Sequence, residues 1–305
     1  MAAVRPFLSV YGHVTIDQII SIKRFPEINE SVDVLTKNTT LGGTGTNIAM
    51  TAARLGVPTA ICAFVGEDFP PKYENDMKES GLIMDEMVRV KEYESSQAIV
   101  INDSEMKQEV IFYQGPQGSA SKLNKMLADN AMRSSYAHFC TGEPEYYLSV
   151  MEAMKGSAPK IALDPAQEIY KMWQKNKILE ALSFSDMLFC NEYEARTIER
   201  ILEIKNVMDI EKNIVVRTEG EKGSTAKING EVMRIPVIEG KVFTDATGAG
   251  DAFRGGFYCG LYYGYGVRES LILAAATSSF IVEKVGALTN TPKWEEVLER
   301  AERYL

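Results

Sequence analysis

Apolar positions in this chain switch period several times. Phe7-Leu8-Ser9-Val10-Tyr11 reads as a buried strand ending at the turn residue Gly12. Ile16 to Ile22 predicts a second strand, stopped by Phe25-Pro26-Glu27, and Val32 to Leu35 a third, short one. Leu41-Gly42-Gly43-Thr44-Gly45-Thr46-Asn47 is a glycine-rich turn opening a helix that carries Ile48, Ala52 and Leu55 and closes at Gly56 and Pro58. A strand over Thr59 to Val65 and a helix over Phe69 to Ser80 follow. Between Ser96 and Tyr113 the period falls to two on either side of Asn102-Asp103-Ser104, the mark of an antiparallel hairpin.

Beyond that hairpin, short buried strands run directly into polar residues. Tyr136 to Cys140 leads into Thr141-Gly142-Glu143, Ile161 to Leu163 into Asp164-Pro165-Ala166-Gln167, Met187 to Cys190 into Asn191-Glu192-Tyr193-Glu194, and Ile214 to Arg217 into Thr218-Glu219-Gly220. In open α/β sheets ligands bind beyond the carboxyl ends of the strands, so these segments are candidates for a site. Asn229-Gly230 between Thr225–Ile228 and Val232–Ile235 is a strong hairpin signal. A short apolar run, Val237-Ile238 and then Val242-Phe243, precedes a small-residue turn and a helix through Phe253, Phe257 and Leu261. Leu271 to Glu283 predicts a buried helix ended by Gly286-Ala287, and Trp294 to Leu305 an amphipathic terminal helix.

A length of 305 residues suits one large α/β domain or two small ones. A net charge of −9 argues against nucleic-acid or anionic-membrane partners, and no apolar run approaches the roughly 18 residues that span a bilayer. Met1 to Pro6 lacks a signal-peptide pattern. Cys62, Cys140, Cys190 and Cys259 have no metal or redox spacing and read as reduced core residues of a cytoplasmic protein. His13 and His138 read as buried or lining positions.

The stretch Asp245-Ala246-Thr247-Gly248-Ala249-Gly250-Asp251-Ala252-Phe253-Arg254-Gly255-Gly256-Phe257 carries the clearest chemistry. Gly248, Ala249 and Gly250 fall where a turn opens into a helix, whose first N–H groups lack internal partners. Small residues let an anion approach those donors. A carboxylate at Asp251 would repel the anion but can take a proton from a group attacking it. The combination points to phosphoryl transfer to a hydroxyl. Gly43-Thr44-Gly45 is a poor dinucleotide fingerprint because Ile48 stands at the third small position, and no P-loop motif is present.

That stretch resembles the C-terminal signature of the ribokinase-like (PfkB) carbohydrate and nucleoside kinases. Gly42-Gly43 with Asn47 resembles the family's N-terminal glycine pair, and Asn191-Glu192-Tyr193-Glu194 its Asn-x-x-Glu motif. The resemblance implies one domain over residues 1–305: a three-layer α/β/α sandwich with a mostly parallel central sheet. A small β-sheet lid would come from segments about 14–38 and 95–115. It further implies that Gly248, Ala249 and Gly250 form an anion hole and that Asp251 is the catalytic base. Asp17, Gly42, Gly43 and Asn47 would meet sugar hydroxyls. Thr218, Gly220 and Gly223 would meet ATP, and Asn191 and Glu194 would orient waters on its Mg2+. Asp245 in some members helps hold a monovalent cation, here K+.

Phe25-Pro26-Glu27, Thr141 to Glu145 and Asp164-Pro165-Ala166-Gln167 look most like the archaeal nucleoside kinases of the family. Phe112 and Gln114 then offer a stacking face and an amide to a base, with Asp164 and Gln167 nearby. The expected activity is ATP-dependent transfer to a nucleoside 5′-hydroxyl. Ribokinase or another sugar kinase is the alternative, and a nucleotide-binding regulator without catalysis a different class that Asp251 speaks against. The edge of the lid suits a homodimer.

Overall fold

A computed structural model describes residues 4–105 and 107–305. Met1 to Ala3, the start of the segment read for a leader pattern, and Met106, within the expected hairpin, lie outside the described residues. The chain begins with β1 (Leu8–Tyr11), β2 (Thr15–Ile22), β3 (Val34–Gly42), α1 (Thr44–Arg54), β4 (Thr59–Gly66), α2 (Pro71–Glu79) and β5 (Met87–Val90). The hairpin β6 (Ser96–Asn102) and β7 (Gln108–Tyr113) follows, then a 3-10 helix over Pro116–Leu123 and α3 (Asp129–Arg133). Next come β8 (Tyr136–Phe139), α4 (Pro144–Ala153), β9 (Lys160–Leu163), α5 (Lys175–Phe184), β10 (Met187–Asn191) and α6 (Glu192–Leu202). The chain ends with β11 (Ile214–Thr218), β12 (Ser224–Ile228), β13 (Glu231–Ile235), α7 (Ala249–Tyr262), α8 (Val267–Ile281) and α9 (Trp294–Ala301).

Nine strands form the main sheet in the order β13-β12-β11-β10-β9-β8-β1-β4-β5. From β11 to β5 every pairing is parallel, and β12 and β13 add an antiparallel edge. Its strands are buried on both faces because successive side chains point into different cores. Leu8 and Val10, Ile61, Ala63 and Val65, and Met187 and Phe189 enter one core with α1, α7 and α8. Tyr11, Cys62 and Phe64, and Leu188 and Cys190, enter the other with α4, α5 and α6. The result is a three-layer α/β/α sandwich. The smaller sheet has the order β3-β2-β6-β7.

One strand differs from its expected bounds. The third strand runs Val34–Gly42 rather than Val32 to Leu35. Its Lys37-Asn38-Thr39-Thr40 segment carries no apolar signal and is held extended by pairing with β2. After β7, Gln114 and Gly115 lead into the 3-10 helix at Pro116. The apolar run Val237-Ile238 and Val242-Phe243 lies outside the strands and helices, and Phe243 is 73 % exposed. The hairpin at Asn229-Gly230 forms with both residues at positive φ, 50° and 90°, the backbone that pair favours.

Candidate active site

The carboxyl ends of the parallel strands bring His13, Thr141, Asp164, Asn191 and Thr218 to one edge of the main sheet. There they line a cavity of about 320 Å³, closed on one side by the smaller sheet and on another by the start of α7. β-sheet register explains the lid's contribution. Asp17 pairs with Ala98, and Ala98 with Phe112, so the three form one row across the sheet and all line the cavity.

At the start of α7, Gly248 is the N-cap with φ 77°. A Cβ at Gly248 would overlap Ala287, so backbone and packing both select glycine. Gly248, Gly250 and Asp251 all line the cavity. Ala249 lines a second cavity behind it. Asn47, in the first turn of α1, donates from Nδ2 to Asp251 Oδ2 at 2.8 Å. Its Oδ1 is buried without a partner. Burial pushes the Asp251 carboxyl up to about 6, against the pull of Asn47 and Arg254. A carboxyl near that value ionises just below neutrality, which suits a base.

Asp17, Gly43, Phe112, Ala166 and Gln167 line the same cavity. Gly42 lies beneath, where a Cβ would overlap the Asp17 carboxylate. Burial raises the Asp17 carboxyl, opposed by the Thr15 hydroxyl that donates to it. Gln114 does not line the cavity: its Nε2 donates to Glu168 Oε1 at 3.0 Å, which engages the amide expected to face a base. Asp164 reaches the cavity wall, yet Arg254 Nε donates to its Oδ2 at 2.7 Å. Asp164, expected to bind substrate, thus faces the cavity and holds Arg254 at once. His13 was singled out only as buried or lining. It is 1 % exposed, stands edge-on to Phe112 at 5.1 Å, and has no partner on either ring nitrogen. Burial lowers it to about 4, so the ring is neutral at physiological pH.

Asn191 and Glu194 form a capping box on α6: Asn191 Oδ1 accepts from the Glu194 N–H at 2.8 Å, and Glu194 Oε2 from the Asn191 N–H at 2.6 Å. Both also line the cavity, so the helix cap and the site use the same side chains. Burial first, and Asp164 second, push Glu194 up to about 7. Among the described residues no group of three or more His, Cys, Asp or Glu side chains is gathered to hold a metal directly.

The second cavity, about 470 Å³, is lined by Gly220, Gly223, Val237, Ile238, Val242, Phe243, Phe253 and Val282 among others. The apolar run that formed no strand therefore has a use as a slot wall. Thr218 and Gly250 line both cavities. Asp245 joins two loops, accepting from the Thr247 N–H and hydroxyl on Oδ1 and from the Gly286 N–H on Oδ2. Burial works against its charge, but these donors hold the carboxyl below its usual value. The sequence pattern missed Arg254 and His13. Arg254 was legible only as a second charge, after Asp251, in a helix start of otherwise small and apolar residues.

The profile of the pfkB family carbohydrate kinases matches residues 5–294. The chain belongs to this family. Among pfkB relatives, the nucleoside kinase of Methanothermobacter thermautotrophicus is 31 % identical over 306 residues, covering 98 % of this chain and 96 % of that one. The nucleoside kinase of Methanocaldococcus jannaschii is 30 % identical over 300 residues, covering 97 % of each chain. A crystal structure of Methanocaldococcus jannaschii nucleoside kinase, described as an archaeal member of the ribokinase family, matches with a TM-score of 0.90 and 28 % identity. That match covers 99 % of this chain and 100 % of the other. A ribokinase from Lactococcus lactis is 27 % identical over 296 residues, covering 95 % of each chain. The solved structure shares this chain's fold over nearly its whole length.

Proposed function

We propose that this pfkB protein is an ATP-dependent nucleoside kinase that phosphorylates the 5′-hydroxyl. The observation that supports this reading most directly is the junction of the two cavities. A mostly apolar slot meets a polar pocket at Thr218 and Gly250, beside the start of α7 and Asp251. The slot suits a nucleotide base, and Gly220, Gly223 and Thr218 suit its ribose and phosphates. The terminal phosphate then reaches the N–H groups of Gly248 and Gly250, while the expected third donor, the Ala249 N–H, is taken by the Ala246 carbonyl at 3.1 Å. In the polar pocket, Asp17, Gly43 and Asn47 suit ribose hydroxyls, and Ala98 and Phe112 offer an apolar face to the base. Asp251 takes the proton of the 5′-hydroxyl as that oxygen bonds to the terminal phosphorus and the bond to the leaving ADP oxygen breaks.

The oxygen donors Asn191 and Glu194 fit a hard cation that keeps its waters, since each has its helix-capping geometry fixed while facing the cavity. They would orient the waters of a Mg2+ ion bound with ATP, whose charge would offset that of the phosphates. For Asp245 the three N–H and O–H donors support a loop-pinning role, and the expected K+ finds no further support in the geometry.

His13 supports a nucleoside over a free sugar. Its ring lies beside Phe112 with Gln114 and Thr141 close to its N–H, and the other nitrogen can accept from a base. The similarity to a ribokinase keeps a sugar acceptor as the second reading. One panel separates them: ATP with cytidine, adenosine, inosine, guanosine, ribose and fructose 6-phosphate, for the native protein and His13→Leu. Transfer to nucleosides is expected, with His13→Leu raising the nucleoside KM on the order of tenfold for one lost hydrogen bond. Efficient transfer to ribose alone, unchanged by His13→Leu, would favour the sugar kinase.

A homodimer through the lid is also proposed. β7 is an edge strand, and Ile111 and Tyr113, on the face away from Phe112, are 58 % and 46 % exposed. Light scattering should give twice the chain mass, and Ile111→Asp should halve it. A native protein of single-chain mass would refute the dimer.

A further inference from the structure

A line of buried polar side chains leads from the core to the cavity. Tyr258 O–H lies 2.8 Å from His138 Nδ1. His138 Nε2 faces Asp164 Oδ2 at 3.3 Å. Asp164 Oδ2 accepts from Arg254 Nε at 2.7 Å, and Arg254 Nη1 donates to the Gly250 carbonyl at 3.2 Å. Tyr258 and His138 are 0 % exposed, Asp164 1 % and Arg254 5 %. The direction of the Tyr258–His138 bond follows the His138 tautomer; with the ring N–H on Nε2, that N–H lies near Asp164 without the geometry of a hydrogen bond. Burial works against the Asp164 charge, yet Arg254 and His138 hold its carboxyl below the usual range.

Arg254 and Tyr258 are one turn apart on α7, so the helix grips Asp164 and His138, from β9 and β8, at two points. Arg254 also lies three residues after Asp251 on the same helix. Among the described residues lining the cavity it is the one cation, against the carboxylates of Asp17, Asp164, Glu194 and Asp251. These groups, with the Asn47 amide, are the charged and polar neighbours acting on Asp251 from β2, the β9 end, α6, α7 and α1. A guanidinium left loose in such a pocket would follow any phosphate; this one is fixed before a substrate arrives.

We propose that Arg254 is a positioning residue for phosphoryl transfer. Clamped from behind by Asp164, His138 and Tyr258, it holds a fixed positive charge beside Asp251 and pins the first turn of α7 through the Gly250 carbonyl. The inference rests on the kinase reading above. Arg254 opposes, and Asp164 reinforces, the rise of the Asp251 carboxyl, so the two partners have opposite signs at the base.

The test is the pH profile of kcat/KM, with nucleoside affinity by calorimetry and melting by differential scanning, for the native protein, R254Q, R254K, D164N and R254Q/D164N. R254Q should lose on the order of 10²-fold in kcat with nucleoside affinity kept. Its acid limb should move up by about one unit, and R254K should return the limb toward the native position. D164N should move the limb down. The double variant carries no buried unpaired charge, so it should melt above either single variant yet stay slow. An unmoved limb in R254Q, or native turnover in the double variant, would overturn the inference and assign the chain a packing role. A native protein that transfers phosphate to no acceptor would instead overturn the kinase reading.

Discussion

Asp251→Asn is expected to lower kcat by about 10²–10⁴-fold while leaving nucleoside affinity nearly intact. The amide is isosteric, and its oxygen can still accept from Asn47 Nδ2, so the cavity keeps its shape. What it loses is the ability to take the 5′-hydroxyl proton. The same substitution should stabilise the fold. Burial lifts the Asp251 carboxyl from 3.8 to about 6, so its charged form is disfavoured in the native state. For an acid raised in this way the penalty is fully present above about pH 6 and is relieved as pH falls below its unfolded value. Discounted for the cavity water it still meets, the penalty is on the order of 2 kcal/mol. The variant should therefore melt a few degrees higher than the native protein at pH 8, and the gap should close toward pH 4. Native turnover in Asp251→Asn would end the assignment of the base.

Gly248→Val should be nearly as damaging, by a different route. Position 248 has φ 77°, which a β-branched residue adopts only as an outlier, and its Cβ would strike Ala287. The turn must move, and with it the N–H groups proposed to receive the terminal phosphate. Loss of such donors typically costs about 10²–10³-fold in kcat. Nucleoside affinity should change little, because Asp17, Ala98 and Phe112 come from the lid. Gly264→Ala is the control: Gly264 also has positive φ, 87°, but no atom lies within 4 Å of its would-be Cβ. It should lower the melting temperature modestly and leave turnover alone. Equal kcat losses in both variants would show that backbone strain at α7, rather than the anion site, is being measured.

Much of this architecture is legible along the chain because its signals are local. The short apolar runs at Tyr136 to Cys140 and Met187 to Cys190 predict strands that the sheet confirms. The period-two pattern between Ser96 and Tyr113 predicts the β6–β7 hairpin, which forms. Strand β3 was mostly hidden, since its polar residues become a strand only through hydrogen bonds to β2. The slot wall at Val237 to Phe243 gave an apolar signal with no element to match, because its partners are α7 and α8 rather than a neighbouring strand.

Residue order alone determined that a carboxylate follows a run of small residues at a helix start, and that polar residues follow a series of buried strands. Those features depend on neighbours a few positions apart, where backbone geometry is set by side-chain size and period. Only the tertiary structure decided which polar residues became partners. Asn47 and Asp251 are 204 positions apart, and Arg254 and Asp164 are 90. It also turned Gln114 toward Glu168 and set His13 edge-on to Phe112 at the cavity. Such pairings are set by burial, where a charge or N–H without water must take whatever partner the fold brings within reach.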